Sequence, residues 1–273
     1  MKLRFLGTGT SNGVPVIGCS CKVCKSSNTK DKRLRTSALL ETEAIRILID
    51  CGPDFRQQML PLSYKKIDGI LATHIHYDHV GGIDDLRPFS WLADIDIFAN
   101  EDTCEGLRHN FPYCFKEQLY PGVPKLNLHA IAPHKAFPIG DCTVVPIEVM
   151  HGNLPILGYR IGNFAYITDM KTINAAELPY LEDVETLVVN ALRWQREHHS
   201  HQLIADAIAF SRTINAKRTY LTHLTHEIGL HEVAQQHLPH NVFFAYDGLE
   251  IEVLERIGCV EAGLAAHLIF HSF

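Results

Sequence analysis

The chain has 273 residues, of which 46% are hydrophobic, so its length allows one large domain or two modest ones. The formal net charge of −6 argues against non-specific nucleic-acid binding, because lysine and arginine make most phosphate contacts. The N-terminal residues show no signal-peptide pattern, and no run is long and apolar enough to span a membrane. We therefore expect a cytoplasmic protein whose eight cysteines are thiols or metal ligands rather than disulfides.

β-rich runs dominate the pattern, and helices recur between them. A glycine- and cysteine-bearing loop over 7–35 follows the first strand. Helices are predicted after Gly82 and over 202–213, where apolar residues recur at helical spacing. Because each half runs from strands to a helix, we expect two βα halves packed as a sandwich with helices outside. The predicted strands are 2–6, 36–42, 44–50, 69–73, 95–99, 125–131, 142–149, 156–161, 164–168, 184–190, 218–222 and 249–254.

The most specific motif is THIHYDH, which follows a predicted strand and has the pattern H-x-H-x-D-H. Alternate residues of an extended segment point the same way, so His74 and His76 can share one metal. Asp78 and His79 come after the strand, where a turn can direct them at a second metal. Further candidate ligands end other β-rich runs, at His151, Asp169 and His223.

A second motif, C-x-C-x-x-C, lies in the N-terminal loop at Cys19, Cys21 and Cys24. A Cys₃His set is a common closed zinc site, so these cysteines predict a structural zinc without an open catalytic position. His226 is the expected fourth ligand, and the zinc would clamp the loop onto the segment that carries His223. A looser competing cluster is formed by Cys104, His109 and Cys114.

The metal-ligand motifs, in this order, resemble the metallo-β-lactamase superfamily. Together with GTGTSNGVPVIGCSCKVC and T-H-L-T-H, they are similar to a narrower family, the phosphoribosyl 1,2-cyclic phosphodiesterases of bacterial phosphonate degradation. The resemblance extends to about residue 254. It implies an α/β (α+β) fold, the αββα four-layer sandwich, as a single domain over 1–273. Asp50 is implied to be a structural carboxylate behind the metal loop. The implied ligands are His74, His76 and His151 for one metal, Asp78, His79 and His223 for the other, and Asp169 for both.

The resemblance also implies a reaction. Members of the narrower family open a cyclic phosphodiester, form dimers, and use a manganese or similar metal pair, a structural zinc and a histidine acid. His201 matches that acid in its distance from His223, and its neighbours His198 and His199 are the alternatives. We take His201 and Asp78 as catalytic residues. The expected function is hydrolysis of a small cyclic or nucleotide-like phosphodiester by a bridging-hydroxide two-metal mechanism, with Mn²⁺, Zn²⁺ or iron.

Other functions remain open at this point. The same metal pair could hydrolyse a thioester or a lactone, and a metal-binding protein without turnover is a further alternative. An RNA-processing nuclease is disfavoured by the acidic charge and by the short spacing between His151, Asp169 and His223. The chain departs from the narrower family in the segment 190–200 and in the tail 258–273. The apolar residues of the tail predict a docking helix or a dimer contact.

Overall fold

The computed structural model describes residues 1–116, 118 and 120–253. Within these residues, two mixed sheets of seven strands pack face to face, and helices cover their outer faces. The predicted αββα sandwich is thereby confirmed. In the described part of the chain, no helix has both the length and the apolar character needed to cross a membrane. The predicted extension 258–273 lies outside the described residues.

Each sheet is half parallel and half antiparallel, because the four strands at one end pair in parallel. The first sheet contains, from edge to edge, β14 (Glu250–Glu252), β1 (Lys2–Gly7), β2 (Ser37–Glu41), β3 (Arg46–Ile49), β4 (Gly69–Leu71), β5 (Ile95–Ala99) and β6 (Leu126–Ala130). The second contains β13 (Val242–Phe244), β12 (Arg218–Thr222), β11 (Thr186–Asn190), β10 (Phe164–Ile167), β9 (Leu154–Ile161), β8 (Cys142–His151) and β7 (Phe137–Ile139). The α-helices are α1 (Phe55–Met59), α2 (Tyr77–Val80), α3 (Glu101–Asn110), α4 (Ile204–Thr213) and α5 (His231–Gln235).

Three apolar layers hold the four structural layers together. Central strands such as β3 are buried on both faces, as expected where a sheet is covered on both sides. Ile47 of β3 packs with Tyr159 of the second sheet between the sheets, whereas Leu48 points outward and packs with Phe55 of α1. The same alternation places Val189 of β11 beneath α4. The sandwich therefore provides a rigid frame for the loops at its edge.

The structure differs from the sequence prediction in several short elements. The segment after Gly82 forms two 3₁₀ helices, Ile83–Leu86 and Phe89–Trp91, rather than one α-helix. Pro88 lies between them and has no backbone N–H for a helical hydrogen bond. The edge strands β7 and β13 and the helix α3 were not predicted, although Asn100 caps α3 through a side-chain oxygen that accepts from the Thr103 N–H.

Candidate metal centre

The predicted ligands meet at one edge of the sandwich, where strands of both sheets end. His74 and His76 follow β4 of the first sheet, and α2 then carries Asp78 and His79. The second sheet supplies three residues from separate strand ends, namely His151 at the end of β8, Asp169 just after β10 and His223 directly after β12. The loops that leave the strands thus bring together seven side chains spread over 150 residues of sequence.

The first set of candidate ligands consists of His74, His76 and His151. Their ligating nitrogens lie within 4.8 Å of one another. The Nε2 atom of His74 is 2.9 Å from Nδ1 of His76. His74 and His151 are buried, whereas His76 is exposed. The set therefore opens to solvent on the side of His76.

The second set consists of Asp78, His79, Asp169 and His223, whose ligating atoms also lie within 4.8 Å of one another. The Nε2 atoms of His79 and His223 each lie 3.3 Å from the Asp169 carboxylate. Asp78 lies 3.4 Å from His79 and 3.6 Å from His223. Two carboxylates and two imidazoles in this arrangement form a donor set that suits a divalent cation.

Asp169 lies between the two sets. Its Oδ2 atom is 3.3 Å from Nε2 of His79 and 3.7 Å from Nε2 of His74. Asp169 and His223 both adopt positive φ angles, of 56° and 54°, which are uncommon for residues other than glycine and cluster at functional sites. A single carboxylate therefore contacts imidazoles of both sets, as a bridging ligand would.

Buried nitrogen atoms without hydrogen-bond partners show that the site fits metal ions. Among the described residues, Nε2 of His79 and both ring nitrogens of His223 are buried and make no hydrogen bond. Unpaired buried polar atoms are costly and uncommon. The two Nε2 atoms face the Asp169 carboxylate, so a cation between them would satisfy lone pairs that the protein leaves unpaired.

The polar partners behind the imidazoles set which nitrogen faces the centre. His79 donates through Nδ1 to Asp50 at 2.7 Å, and a carboxylate only accepts, so in the neutral ring that binds a metal Nε2 of His79 carries the lone pair. His151 donates through Nδ1 to the carbonyl oxygens of Asp169 and Ser200, at 2.8 and 3.0 Å. Such partners are typical behind metal-ligating histidines, because they fix the tautomer and the ring orientation.

Thr73 connects Asp50 to the first histidine set. Its N–H and hydroxyl both donate to Asp50, at 2.8 and 3.0 Å, and its hydroxyl oxygen lies 3.0 Å from Nδ1 of His74. The resemblance implied that Asp50 is a structural carboxylate, but it gave no role to Thr73. A hydroxyl residue directly before H-x-H-x-D-H was the available signal.

Burial and charge set the protonation of the site. Burial lowers the pKa of His74 well below its ordinary value, with the neighbouring His79 acting in the same direction, so the ring is neutral and can ligate a metal. Burial raises the pKa of Asp169, but His223 and His79 outweigh it and hold that pKa well below the ordinary range. The pKa of Asp78 is likewise lowered by His223 and His79 against the effect of burial. Both carboxylates are therefore ionised at neutral pH.

The structure also brings Cys19, Cys21, Cys24 and His226 together, within 4.8 Å of one another. Nδ1 of His226 lies 3.3, 3.5 and 3.2 Å from the three sulfurs in that order. The Cys24 N–H donates to Cys21 Sγ and lowers its pKa, whereas burial raises the pKa of the Cys24 thiol to about 11. Three sulfurs and one imidazole form the closed donor set that structural zinc prefers.

The loop over 7–35 contacts the segment after β12 through backbone hydrogen bonds as well. The Thr10 N–H donates to the carbonyl of Leu224, and the Leu224 N–H donates to the carbonyl of Thr8. Cys104 and Cys114, by contrast, are buried in the apolar layer beneath α3. Within the described residues, they belong to no group of potential metal ligands.

Of the three candidate acids, His201 lies at the centre. Its Nε2 is 3.3 Å from the Asp169 carboxylate, and its ring stacks on that of His223. His198 lies behind it, with the two Nδ1 atoms 3.1 Å apart, and His199 is exposed. Burial lowers the pKa of His201 to about 4, while the contact with Asp169 acts in the opposite direction. His151, Asp169 and His201 also form a group of potential metal ligands.

Comparison with known proteins identifies the family. A family model described as the β-lactamase superfamily domain matches residues 45–224. This chain belongs to the metallo-β-lactamase superfamily. A solved structure described as a new diphosphatase from the PhnP family is 38% identical with a TM-score of 0.85, and the match covers 92% of this chain and 96% of that one. The chain therefore has the metallo-β-lactamase fold and lies close to the PhnP family, and its His/Asp cluster fits divalent metals.

Two curated relatives have names that denote different reactions. An octanoyltransferase of Porphyromonas gingivalis is 45% identical over 257 residues, which are 94% of this chain and 52% of that protein. An exodeoxyribonuclease of Bacillus anthracis is 26% identical over 230 residues, which are 76% of this chain and 80% of that protein. The chain thus spans about half the length of the octanoyltransferase that it matches.

Proposed function

We propose that this chain is a phosphodiesterase that hydrolyses a small cyclic or nucleotide-like phosphodiester with a metal pair. The main support is the position of Asp169, which contacts His79 and His223 of one ligand set and His74 of the other. When bound there, two divalent ions would supply hydroxide at neutral pH and offset negative charge on a phosphoryl group. Manganese, zinc and iron all suit these donors.

In this proposal, the chain's own residues orient the substrate and supply the proton. His201 directs Nε2 toward the Asp169 carboxylate and gives its proton to the leaving oxygen. An anionic phosphodiester beside this ring favours its charged form, which counteracts the effect of burial on its pKa. Asp78, with 14% of its side chain exposed, and the exposed His76 lie on the open side of the centre, so in this proposal the substrate enters there.

The relatives also favour phosphoryl chemistry. The names of the diphosphatase and the exodeoxyribonuclease both denote cleavage of a bond to phosphorus. The formal net charge of −6 favours a small substrate over a nucleic acid. We further propose that Cys19, Cys21, Cys24 and His226 hold one structural zinc, because their donor set is closed. A homodimer and a cytoplasmic location stay predictions.

A second candidate is hydrolysis of an acyl thioester at the same centre. It is favoured by the 45% identity to a protein named octanoyltransferase. The match covers 52% of the octanoyltransferase. Acyl chemistry in the matched half is therefore a separate proposal for this chain.

A substrate panel distinguishes the two candidates. The purified protein, reconstituted with Mn²⁺ or Zn²⁺, is assayed on bis(p-nitrophenyl) phosphate, 2′,3′-cyclic nucleotides, an octanoyl thioester and a lactone. We expect turnover of the phosphodiesters, and its loss in Asp169→Asn. Turnover of the thioester or lactone alone would reject the phosphodiesterase proposal, and turnover of none would favour a protein that only binds metal.

A further inference from the structure

A pocket outside the metal centre lies between the loop that follows β11 and the segment that follows β12. Its volume is about 580 Å³, within the range of about 300–1,000 Å³ usual for small-molecule sites. None of the predicted metal ligands lines it. The lining residues are Arg193, Trp194, Gln195, Arg196, Glu227 and His237. Most of them belong to the segment in which the chain departs from the family that its motifs resemble.

The pocket carries excess positive charge in an acidic protein. Arg193 donates to one carboxylate oxygen of Glu227 at 3.0 Å, and the Arg196 guanidinium pairs with the other. One carboxylate thus offsets only one of two guanidinium charges. Arg193 also donates through Nε to the carbonyl of Arg196, at 3.0 Å. Each guanidinium has five N–H groups, so both retain donors for a further anion.

A fixed aromatic ring lies beside these charges. Trp194 donates through its indole N–H to the carbonyl of Ile228 at 2.8 Å. Its ring meets His237 and Phe244 at angles of 88° and 84°. The hydrogen bond and the two ring contacts hold the half-buried indole in place at the pocket wall. A flat apolar surface of this kind stacks well with nucleobases.

The pocket is connected to the catalytic centre by two short chain segments. Arg196 precedes His201 by five residues, and Glu227 follows His223 by four. Because an extended chain spans at most about 3.6 Å per residue, these pairs are no more than about 18 Å and about 14 Å apart. These bounds place the pocket near the metal ligands.

We propose that this pocket binds a nucleoside phosphate portion of the substrate, with the phosphate on Arg193 and Arg196 and the base against Trp194. The inference rests on the proposed phosphodiesterase function, since the pocket would hold the part of the substrate away from the bond that is cleaved. It selects nucleotide esters over phosphodiesters that lack a second anion and a ring.

Tryptophan fluorescence tests the pocket without relying on turnover. The chain has two tryptophans, Trp91 and Trp194, and Trp91 is 77% exposed, so Trp91→Phe leaves one reporter in the pocket wall. In this background, the metal-loaded protein is titrated with adenosine 5′-monophosphate, adenosine or inorganic phosphate. We expect saturable quenching by the nucleotide, much weaker quenching by adenosine, and competition without quenching by phosphate.

Arginine variants locate the anion. Arg196→Ala should weaken nucleotide binding at least tenfold, and the matched control Arg212→Ala, at an exposed arginine of α4, should leave it unchanged. Absence of quenching at millimolar nucleotide, or quenching that Arg196→Ala does not weaken, would overturn the pocket. Equal affinity for phosphate and nucleotide would overturn the role of the ring.

Kinetics then links the pocket to the reaction. Arg196→Ala should raise KM for thymidine 3′-phosphate 5′-(p-nitrophenyl phosphate), whose 3′-phosphate is the second anion, about tenfold, while kcat and the KM for bis(p-nitrophenyl) phosphate stay the same. An equal change for both esters would contradict substrate selection by the pocket. If the protein cleaves neither ester, the proposed function fails, and the fluorescence titration still decides whether the pocket binds nucleotides.

Discussion

Replacing Asp50 with asparagine tests how the fold prepares a metal ligand. Asp50 is fully buried and accepts from His79 and from both donors of Thr73. The amide keeps one oxygen for the Thr73 N–H but turns its NH₂ group toward His79. His79 must then accept through Nδ1 and carry its proton on Nε2, the nitrogen that faces Asp169. A protonated Nε2 cannot ligate a metal.

The expected magnitudes follow from these contacts. Changing the partner behind a ligating histidine lowers metal affinity by about 10–100-fold, so Asp50→Asn should lose metal to that extent. Loss of a hydrogen bond to a buried carboxylate should also lower the unfolding free energy of the metal-free protein by about 1.5–3 kcal/mol. The affinity is measured by competition with a chelator, and the stability by urea unfolding.

The surface pair of Asp96 and His129 provides a matched control. Their contact distance is 2.9 Å, and both side chains are more than two-fifths exposed. Asp96→Asn should therefore leave metal binding unchanged and alter stability by less than about 1 kcal/mol. An Asp50→Asn protein that binds the same number of metals with unchanged affinity would refute the argument from the tautomer of His79.

His201→Ala should retain its metals but lose most turnover on esters with poor leaving groups. The control variant His199→Ala should keep that turnover. The measurement is kcat across a series of leaving groups. Because the acid must be protonated, wild-type kcat on poor leaving groups should fall as pH rises through the pKa of His201 in the substrate complex, and a pH profile lacking this limb would argue against that role. Cys21→Ser should lower zinc content by one ion per chain and reduce the melting temperature; unchanged values of both would contradict a zinc clamp. Gly52→Ala places a methyl group against the carbonyl oxygen of Asp78, so metal analysis and kcat should show a displaced metal loop with turnover reduced by about 100-fold.

The sequence predicted which side chains meet at one edge of the sandwich, because they lie at strand ends that can be recognised locally. H-x-H-x-D-H follows a short apolar strand, and Asp169 and His223 each follow another. The distant pairing of the cysteine motif with His226 was also predictable, since three thiolates leave a closed zinc site one ligand short. The structure places these residues together as the sequence predicted.

Other features depend on contacts that no local pattern shows. The hydroxyl of Thr73 matters only because β3 and β4 pair in parallel and bring Asp50 beside it. The pocket of Arg196 and Glu227 likewise joins segments that follow two different strands. Tertiary pairing, rather than spacing along the chain, creates these features.

Metal titration of phosphodiesterase activity tests the central claim most directly. Protein that retains its tightly held zinc but has been depleted of other metals is titrated with Mn²⁺ while hydrolysis of bis(p-nitrophenyl) phosphate is followed. Because Asp169 contacts both ligand sets, we expect activity to rise and to saturate at two equivalents per chain. Saturation at one equivalent, or a protein that binds two ions and does not cleave the ester, would contradict a two-metal phosphodiesterase.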